Sequence, residues 1–366
     1  MPVRAVREPP LNVALVGCGA VAHHYYAPAL RALESEDVLR VRALCDPDPR
    51  GTTDLRATFP AATVAGDVTA AIDGSAIDLA IVASPPRCHA EQTIAALRAG
   101  VAVLCEKPMA TTVAEGEAMV AAARETGRVL AVGFYRRFLP AAPTVGELLR
   151  SGRLGALRRF HCAEGGDFRW PARSPDFFRR DAAGGVLADV GVHTLDLLAW
   201  WLGTPQQVDY EDDAMGGVEA NCRVRLAYPG GVTGEVRLSR DTEQPNQYLF
   251  QCTDGWLRWH VHDADRVELG FGDVEAGFRA RLHRVARDGA HPRLGAPRGG
   301  FEESFVAQIR NVVDAVRGRA ALVVSAADGL ASLRTLDACR RSRALIGMPW
   351  LGDAELARAL QLSGVR

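Results

Sequence analysis

Two groups of residues in this sequence have types and spacing suited to proton transfer. The first is Glu106-Lys107-Pro108, which directly follows the apolar run Val101–Cys105. Pro108 cannot donate to a sheet ladder and biases Lys107 towards an extended backbone, so both charges are predicted to lie at the carboxyl end of a buried parallel strand. Open α/β sheets bind ligands at that edge, where such a lysine is a candidate acid, base or orienting group. Taken alone, the motif fits a salt-bridged strand end equally well.

The second group is Asp189 and His193, four residues apart in the segment Gly184–Asp196. This spacing predicts that both side chains lie on one face of a helix. Burial among apolar neighbours is costly for such groups unless they are partnered, and a histidine beside an aspartate can act as a proton shuttle. The alternative is a helix-capping aspartate and a satisfied core histidine. Asp196, one turn further on, is predicted to be structural and to pair with an arginine.

A glycine-rich turn follows the first predicted strand, Leu11–Val16. Residues 17–22 have the pattern G-x-G-x-x-A, which permits a tight turn and close approach of a pyrophosphate at a helix amino terminus. The predicted contacts are Gly17, Gly19, Ala20 and Val21. Asp46 lies 24 positions after Ala22, where an acid would bind a ribose diol and favour NAD over NADP. A turn role for Asp46 before Pro47 is compatible with this, and Arg50 is predicted on the adenosine side.

The order of predicted elements indicates two domains. Strands alternate with helices over the first 130 residues, which predicts a doubly wound parallel sheet. A long apolar helix, Val186–Leu202, and then a series of strands joined by hairpins predict a large open, mainly antiparallel sheet with α+β character. The predicted parts are an arm at 1–10, a Rossmann domain at 11–134, a substrate-binding domain at 135–345 and a tail at 346–366. Closing helices at Phe301–Gly318 and Ser325–Leu345 are candidates to pack back on the first domain, and 280–300 is predicted to be a loop.

Composition narrows the class of protein. The 366 residues are 48% hydrophobic and 24% charged with a formal net charge of -1, which is typical of a globular protein and gives no reason to expect a nucleic-acid partner. Eight cysteines show no C-x-x-C pair or metal-site spacing, so reduced thiols and no metal are expected. The start of the sequence lacks a signal peptide, and no apolar run reaches about 18 residues. A cytoplasmic protein without a membrane segment is therefore predicted.

Three segments together resemble the Gfo/Idh/MocA family, the relatives of glucose-fructose oxidoreductase and inositol dehydrogenase. They are the glycine-rich turn, ASPPRCHAEQTIAALRAGVAVLCEKP and GGVLADVGVHTLDLLAWWLG. The resemblance implies a nicotinamide cofactor and an active site between the domains. It implies that His193 is the general base or acid for a substrate hydroxyl, that Lys107 hydrogen-bonds the same oxygen, and that Asp189 orients the substrate.

The same resemblance assigns further contacts. Ser84, Pro85, His89 and Glu106 are expected to line the cofactor cleft, and Arg136 is expected to reach the nicotinamide side. The loop Phe168–Arg180 is where the family varies its substrate contacts, so Phe168, Trp170 and Arg180 are candidate substrate residues. Simple packing is the alternative for Trp170. Trp200 and Trp201 are predicted to be core residues. Helix packing is the preferred role for the aromatic group His23–Tyr26, and the alternative is that one of its members faces the substrate cleft.

The resulting expectation is an NAD(H)-dependent oxidoreductase that interconverts a secondary hydroxyl and a ketone. Its substrate would be a sugar, a cyclitol or a sugar-containing metabolite, including aminoglycoside-type secondary metabolites. One alternative is an NAD(P)H-dependent ketoreductase of a nucleotide-linked keto-sugar. Another, from a different class, is a non-catalytic dinucleotide-binding sensor. Since an open sheet face invites association, a homodimer or homotetramer through the second domain's sheet is expected.

Overall fold

A computed structural model describes residues 8–73, 76–171, 175–179, 182–272, 274–279, 300–347 and 351–363. The described residues form two compact units. The first comprises the described parts of Met1–Ala110, Ala114–Gly133 and Phe305–Ala326. The second comprises those of Thr111–Val113, Phe134–Ser304 and Ala327–Arg366. Arg180, a predicted substrate residue, and most of the predicted loop at 280–300 lie outside the described residues.

The first unit is built on a six-stranded parallel sheet. Its elements are β1 (Leu11–Val16), β2 (Leu39–Cys45), β3 (Thr63–Ala65), β4 (Leu79–Val82), β5 (Ala102–Cys105) and β6 (Leu130–Val132), with α1 (Ala27–Ser35), α2 (Pro49–Thr58), α3 (Val68–Asp73), α4 (Pro86–Arg98) and α5 (Val113–Thr126). The strand order is β3-β2-β1-β4-β5-β6, and every neighbouring pair is parallel. The predicted doubly wound sheet is thus confirmed.

The strand order reverses between β1 and β4, and this determines where the sheet can bind a ligand. All four residues of β4 and of β5 are buried, as expected for parallel strands covered on both faces. In open α/β sheets, ligands bind at the carboxyl ends of the strands where the order reverses, here β1 and β4. The glycine-rich turn follows β1 directly, and Ser84 follows β4.

The second unit contains a nine-stranded sheet. The remaining elements of the chain are α6 (Ala141–Arg150), β7 (Leu157–Gly165), α7 (Val192–Leu202), β8 (Gln207–Asp212), β9 (Asn221–Ala227), β10 (Thr233–Ser239), β11 (Gln247–Cys252), β12 (Gly255–His260), β13 (Arg266–Phe271), β14 (Val274–Arg279), α8 (Phe301–Val316), α9 (Ala326–Arg341), β15 (Arg343–Leu345) and α10 (Asp353–Ser363). Of these, α8 belongs to the first unit from Phe305 onwards. The sheet order is β14-β13-β12-β11-β7-β10-β9-β8-β15, antiparallel except for β7 with β10 and β8 with β15. The large, mainly antiparallel sheet is therefore confirmed.

One face of this sheet is buried beneath α7. Trp201 makes edge-on contacts with Tyr248, Phe250 and Trp259, at centroid distances of 6.4, 5.6 and 6.1 Å. Its indole nitrogen donates to the Ala142 carbonyl oxygen at 3.0 Å. The core prediction is confirmed for Trp201. It is wrong for Trp200, which is half-buried beneath the Arg137 guanidinium.

The opposite face of the sheet carries paired charges. Glu235 lies 3.5 Å from Arg223 and 3.7 Å from Arg225, and Glu211 lies 2.9 Å from Arg225. Further along, Glu268 pairs with Arg258 at 2.5 Å and with Arg266 at 2.7 Å. This part of the open face is therefore polar and internally neutralised, because residues on neighbouring strands alternate in charge.

The chain's closing segment differs from the sequence prediction. The helix predicted for Ser325–Leu345 ends at Arg341, and Arg343–Leu345 forms β15 against β8. The physical reason is tertiary: Arg343 forms a two-pronged ion pair with Asp212 on β8, with both distances 2.6 Å. The segment predicted as a tail contains α10, and β14 was not predicted.

Candidate active site

The glycine-rich turn is shaped by the close approach of β1 and β4. Gly17 has φ 90°, and a Cβ built on it would lie 2.3 Å from the backbone nitrogen of Ser84. Only glycine fits there, since that space and that φ both exclude a side chain. Gly19 differs: among the described residues, no atom would lie within 4 Å of a Cβ added to it. The turn thus leaves room beside the helix amino terminus, which suits the predicted pyrophosphate.

These two glycines should respond differently to alanine. We expect Gly17→Ala to lower the free energy of unfolding by about 3 kcal/mol or more, because it combines backbone strain with a steric clash. We expect Gly19→Ala to change that free energy by less than about 1 kcal/mol and to weaken dinucleotide binding by about tenfold or more, since the new methyl group occupies the phosphate space. Thermal unfolding and NADH fluorescence titration measure the two effects. Equal losses of stability in both variants would contradict this account.

Asp46 is held at the carboxyl end of β2 beside this turn. Its carboxylate accepts hydrogen bonds from the backbone N–H of Cys18 at 2.8 Å and of Asp48 at 2.9 Å. The first contact orients the acid towards the glycine-rich turn, and the second is the expected turn role. Arg50 is bound to Asp48 at 2.7 Å, with 90% of its side chain exposed. Ribose binding by Asp46 and adenosine contact by Arg50 stay predictions.

His89 connects two loops of the first unit. It is completely buried, and its ring nitrogens lie 2.8 Å from the Ser84 carbonyl oxygen and 2.9 Å from that of Pro108. Burial lowers the pKa of His89 despite these contacts. Ser84 donates its hydroxyl to Gln92 at 2.6 Å, and Pro85 directly precedes α4. The structure therefore gives His89 a positioning role for Ser84 and Pro108.

Glu106 points into the first unit and fixes the backbone of Lys107. Its Oε1 accepts from the Tyr26 hydroxyl at 2.7 Å, and its Oε2 accepts from the backbone N–H of Lys107 at 3.0 Å. Gly133 provides the space, since a Cβ there would lie 2.8 Å from Oε1. Burial raises the pKa of Glu106. Lys107 is half-buried, and its peptide bond to Pro108 is cis.

The hydrogen bond from Tyr26 to Glu106 was not predicted from the sequence. Tyr26 packs edge-on against Phe305 at 5.3 Å, and Tyr25 stacks on the same ring at 4.9 Å. The predicted packing role of these tyrosines is thus confirmed. The turn that carries them, Ala22–Tyr26, is π-helical, a wider turn that is often found at functional sites.

Asp189 and His193 lie on one continuous helix, as predicted, but its first turns are not regular. Leu187–Gly191 is π-helical and α7 continues from Val192, so Asp189 lies on the wide turn. His193 is 5% exposed and is packed edge-on against Phe134 at 5.9 Å and Tyr135 at 5.0 Å. Asp189 accepts a hydrogen bond from Arg240 at 3.0 Å. Both predicted residues are thus held by partners within the second unit.

Gly184 and Gly185 allow the start of this helix to be capped from a distant segment. The Glu219 carboxylate accepts from the Leu187 N–H at 2.9 Å, and its carbonyl oxygen accepts from the Val186 N–H at 3.2 Å. A Cβ on Gly185 would lie 2.2 Å from the Glu219 carboxylate, and one on Gly184 would lie 2.7 Å from two carbonyl oxygens. The pair of glycines is therefore required by packing, and Glu219 satisfies two of the helix's open N–H groups.

Arg136 lies in a buried polar cluster beneath α7. Its guanidinium binds both carboxylate oxygens of Glu164, at 2.8 and 2.9 Å. The same carboxylate accepts from Tyr248 at 2.5 Å and from Thr194, the neighbour of His193, at 2.7 Å. The cluster fixes α7 next to the sheet. Contact of Arg136 with a nicotinamide stays a prediction, and the described contacts of this arginine are structural.

Other predictions for the second unit have clear outcomes. Asp196 pairs with Arg137 at 2.7 and 2.9 Å, which confirms its structural role. Phe168 lies below the Arg240 guanidinium and packs edge-on against Phe178 at 5.3 Å. Trp170 is half-buried. Substrate contact by Phe168 and Trp170 stays a prediction.

Glu164 and Arg240 were missed, although the sequence contains a signal for each. Buried residues alternate along β7 as Phe160, Cys162 and Glu164, and along the end of β10 as Val236, Leu238 and Arg240. In both strands, a charged residue occupies the inward-facing position that follows two apolar inward-facing residues. Since such a group needs a buried partner, this pattern marks it as part of a polar cluster.

Lysine usage singles out Lys107. It is the one lysine of the sequence, against 42 arginines. Wherever else the chain has a strongly basic side chain, that side chain is an arginine. A primary amine at the carboxyl end of β5 differs from a guanidinium because it is compact and can lose its proton.

Neither a metal centre nor a membrane-spanning helix is found in the part of the chain that the structure describes. Its His, Cys, Asp and Glu side chains form no group of three or more arranged to hold a metal ion. Within the same residues, no helix is both long enough and apolar enough to cross a membrane.

The fold and the glycine-rich turn define a two-domain protein with a dinucleotide-binding Rossmann unit. Residues 11–134 match the family model for the Gfo/Idh/MocA oxidoreductase family with an NAD-binding Rossmann fold, and residues 143–258 match the GFO/IDH/MocA C-terminal domain. The chain therefore belongs to the Gfo/Idh/MocA family, as the sequence motifs indicate.

Three proteins similar to this chain are a curated dehydrogenase, a dehydrogenase of known structure and a ketoreductase of known structure. Inositol 2-dehydrogenase 2 of Saccharopolyspora erythraea is 32% identical over 194 residues, which are 53% of this chain and 54% of that protein. Levoglucosan dehydrogenase, solved with NADH and levoglucosan, has a TM-score of 0.77 at 21% identity, over 91% of this chain and 97% of that one. A 3-ketoreductase from Actinomadura kijaniata, solved with NADP and TDP-benzene, has a TM-score of 0.78 at 23% identity, over 93% and 100%.

The sequence similarity to the first curated relatives covers less of the chain than the structural similarity to the solved proteins. The chain spans about half the length of the first curated relatives that it matches. The two solved structures show the shared fold, and one holds NADH while the other holds NADP. The fold is thus compatible with either nicotinamide dinucleotide.

Proposed function

We propose that this protein is an NAD(H)-dependent oxidoreductase that interconverts a secondary hydroxyl and a ketone on a sugar, a cyclitol or a sugar-containing metabolite. The observation that carries the proposal is the placement of His193. It is held edge-on between two aromatic rings, on a helix whose first turn is fixed by Glu219 and Arg240. Histidine is the side chain most often used to move a hydroxyl proton.

Each candidate residue has a distinct role in this proposal. His193 accepts the substrate hydroxyl proton in oxidation and returns it in reduction. Lys107 donates a hydrogen bond to the same oxygen and stabilises its negative charge. Asp189 accepts a hydrogen bond from a neighbouring hydroxyl and so orients the ring. The dinucleotide, when bound, exchanges hydride with the substrate carbon.

The proposed cofactor is NAD(H) rather than NADP(H). Asp46 supports this, since its carboxylate is held beside the glycine-rich turn by the Cys18 N–H and would repel a 2′-phosphate. Arg50, the nearby cation that an NADP site would use, is already paired with Asp48. We expect kcat/KM for NAD⁺ to exceed that for NADP⁺.

The test is reduction of NAD⁺ and of NADP⁺, followed by absorbance, with sugars, cyclitols and aminoglycosides as substrates. Turnover with one of these alcohols that is lost in His193→Ala supports the proposal. A matched control is His161→Ala, since His161 lies on the charged sheet face and is half-buried there. Turnover that persists in His193→Ala would contradict the assigned role.

A nucleotide-linked keto-sugar is the second candidate substrate. The aromatic and arginine-rich segment around Phe168 supports it, as does the fold shared with a ketoreductase that was solved with a TDP derivative. Oxidation of NADH or NADPH with such a ketone, together with no oxidation of free sugars, would favour this substrate. A dinucleotide-binding sensor would bind NADH and show no turnover in either direction.

We further propose that the chain is cytoplasmic and forms a homodimer or homotetramer through the open face of the nine-stranded sheet. The breadth of that nine-stranded sheet supports the association, because an open sheet face invites pairing with another copy. Sedimentation at low and at high ionic strength tests this. A monomer at both would contradict it.

A further inference from the structure

One arginine of the second unit joins three separate segments of the chain. Arg240 directly follows β10 and is 8% exposed. Its Nη1 donates to the Phe177 carbonyl oxygen at 3.0 Å. Its Nη2 donates to the Gly185 carbonyl oxygen and to the Asp189 carboxylate, each at 3.0 Å. The guanidinium thus connects the aromatic segment, the glycine pair and the first turn of the helix that carries His193.

Arg240 also fixes the aromatic segment, here defined as residues 168–171 and 175–178. Its guanidinium carbon lies 4.9 Å from the centre of the Phe168 ring, a cation–π distance. Its carbonyl oxygen accepts from the Phe168 N–H at 2.9 Å. Phe168 in turn packs against Phe177 and Phe178, at 6.1 and 5.3 Å. Arg240 therefore contacts both the side chain and the backbone of Phe168.

The hydrogen bonds of the Arg240 side chain come from the two terminal nitrogens of its guanidinium. Its Nε is buried and has no hydrogen-bond partner among the described residues. Leaving a buried donor unpaired is unfavourable. The planar fork is instead aligned with Asp189 and with the two carbonyl oxygens, an arrangement that lysine cannot reproduce.

We propose that Arg240 is a positioning residue that determines substrate specificity: it holds the Asp189 carboxylate and the aromatic segment in one arrangement relative to each other. This rests on the proposed role of Asp189 in binding a substrate hydroxyl. Arg240 does not touch the reacting atoms. It fixes which rotamer Asp189 presents and which aromatic ring lies beside it, so its loss impairs recognition more than the chemical step.

The test compares Arg240→Gln, Arg240→Lys, Asp189→Asn and the double variant Asp189→Asn/Arg240→Gln. We expect Arg240→Gln to raise KM for the alcohol by about tenfold to a hundredfold, since a charge-assisted hydrogen bond is lost, while KM for the dinucleotide changes less than about twofold. The double variant should be less impaired than the product of the two single effects, because Arg240 acts in part through Asp189. Lysine should restore only part of the loss.

The matched control is Arg343→Lys. Arg343 is a half-buried arginine of the same unit whose side chain is 9% exposed. It also forms a bidentate ion pair with an aspartate, Asp212, and donates to a carbonyl oxygen, that of Ala214. Its replacement should lower the melting temperature without changing KM for the alcohol. If Arg240→Gln behaves in the same way, or if its effect adds fully to that of Asp189→Asn, the proposal is overturned.

A second readout does not depend on activity. Hydrogen exchange at Phe168–Trp170 should be faster in Arg240→Gln than in the wild type and in Arg343→Lys, because the guanidinium no longer covers Phe168. If the wild type turns over no alcohol or ketone, the proposed function fails, yet the exchange experiment still decides the positioning role. Unchanged exchange would overturn that role.

Discussion

Replacing Lys107 with alanine is expected to lower kcat by about 10²- to 10⁴-fold, the usual contribution of a proton-handling or oxyanion-stabilising group. Dinucleotide binding is expected to stay within about twofold of the wild type. The reason is local: Glu106 fixes the backbone of Lys107 through its N–H at 3.0 Å, and that carboxylate is itself held by Tyr26. The amine can therefore be removed without releasing the loop. Steady-state kinetics and NADH fluorescence titration measure the two quantities.

The control for charge is Lys107→Arg. Arginine keeps the positive charge, but its planar fork is larger and does not lose its proton, so this variant should also be inactive. Because the chain has a single lysine, reductive methylation labels Lys107 and the chain's amino terminus alone. Full activity of Lys107→Arg would show that charge alone is needed and would remove the proposed proton chemistry from this residue.

The second large effect is expected for Arg136→Met, which should lower the free energy of unfolding by about 3–5 kcal/mol at pH 7. Removing the guanidinium leaves the Glu164 carboxylate, which is 3% exposed, without its cation. Arg225→Met is the control, because its partner Glu211 lies on the open sheet face and such pairs contribute about 1 kcal/mol or less. Urea unfolding of both variants measures the difference. Equal losses would contradict the assigned importance of burial.

The pH dependence of this pair has a definite sign. Burial alone would raise the pKa of Glu164, but Arg136 and the hydroxyls of Tyr248 and Thr194 outweigh it and hold that pKa below its ordinary value. In the wild type the pair therefore stabilises the fold above the unfolded pKa of about 4.3, and this stability is lost as the pH falls through the folded pKa. In Arg136→Met the cation is gone, so the penalty should be greatest at neutral pH and shrink in acid.

The Rossmann unit could be predicted largely because its signals are local. The glycine-rich turn, the apolar runs of β4 and β5 and the Glu-Lys-Pro motif each lie within a few residues, and backbone sterics decide their structure. The helix bearing Asp189 and His193 was also correctly placed. Its π-helical turn was not predicted, since Leu187–Gly191 contains no residue type that distinguishes a π-turn from an α-turn.

Contacts between distant segments could not be predicted in the same way. Nothing near Arg343 indicates that Asp212 will bind it, so the helix was extended through β15. Likewise Glu219 and Arg240 act on a helix that lies more than 30 residues away in sequence. Their partners are decided by sheet pairing, which a local pattern does not contain.

The long sequence separations between the His193 helix and its partners Glu219 and Arg240 affect the order in which the chain folds. The first turn of the His193 helix receives its cap from a residue 32 positions later and its arginine contact from one 51 positions later. Forming these contacts requires that long loops close first, which slows their appearance relative to local helices. During synthesis the helix therefore leaves the ribosome before the groups that complete it. The proposed site is expected to mature only after β9 and β10 have paired.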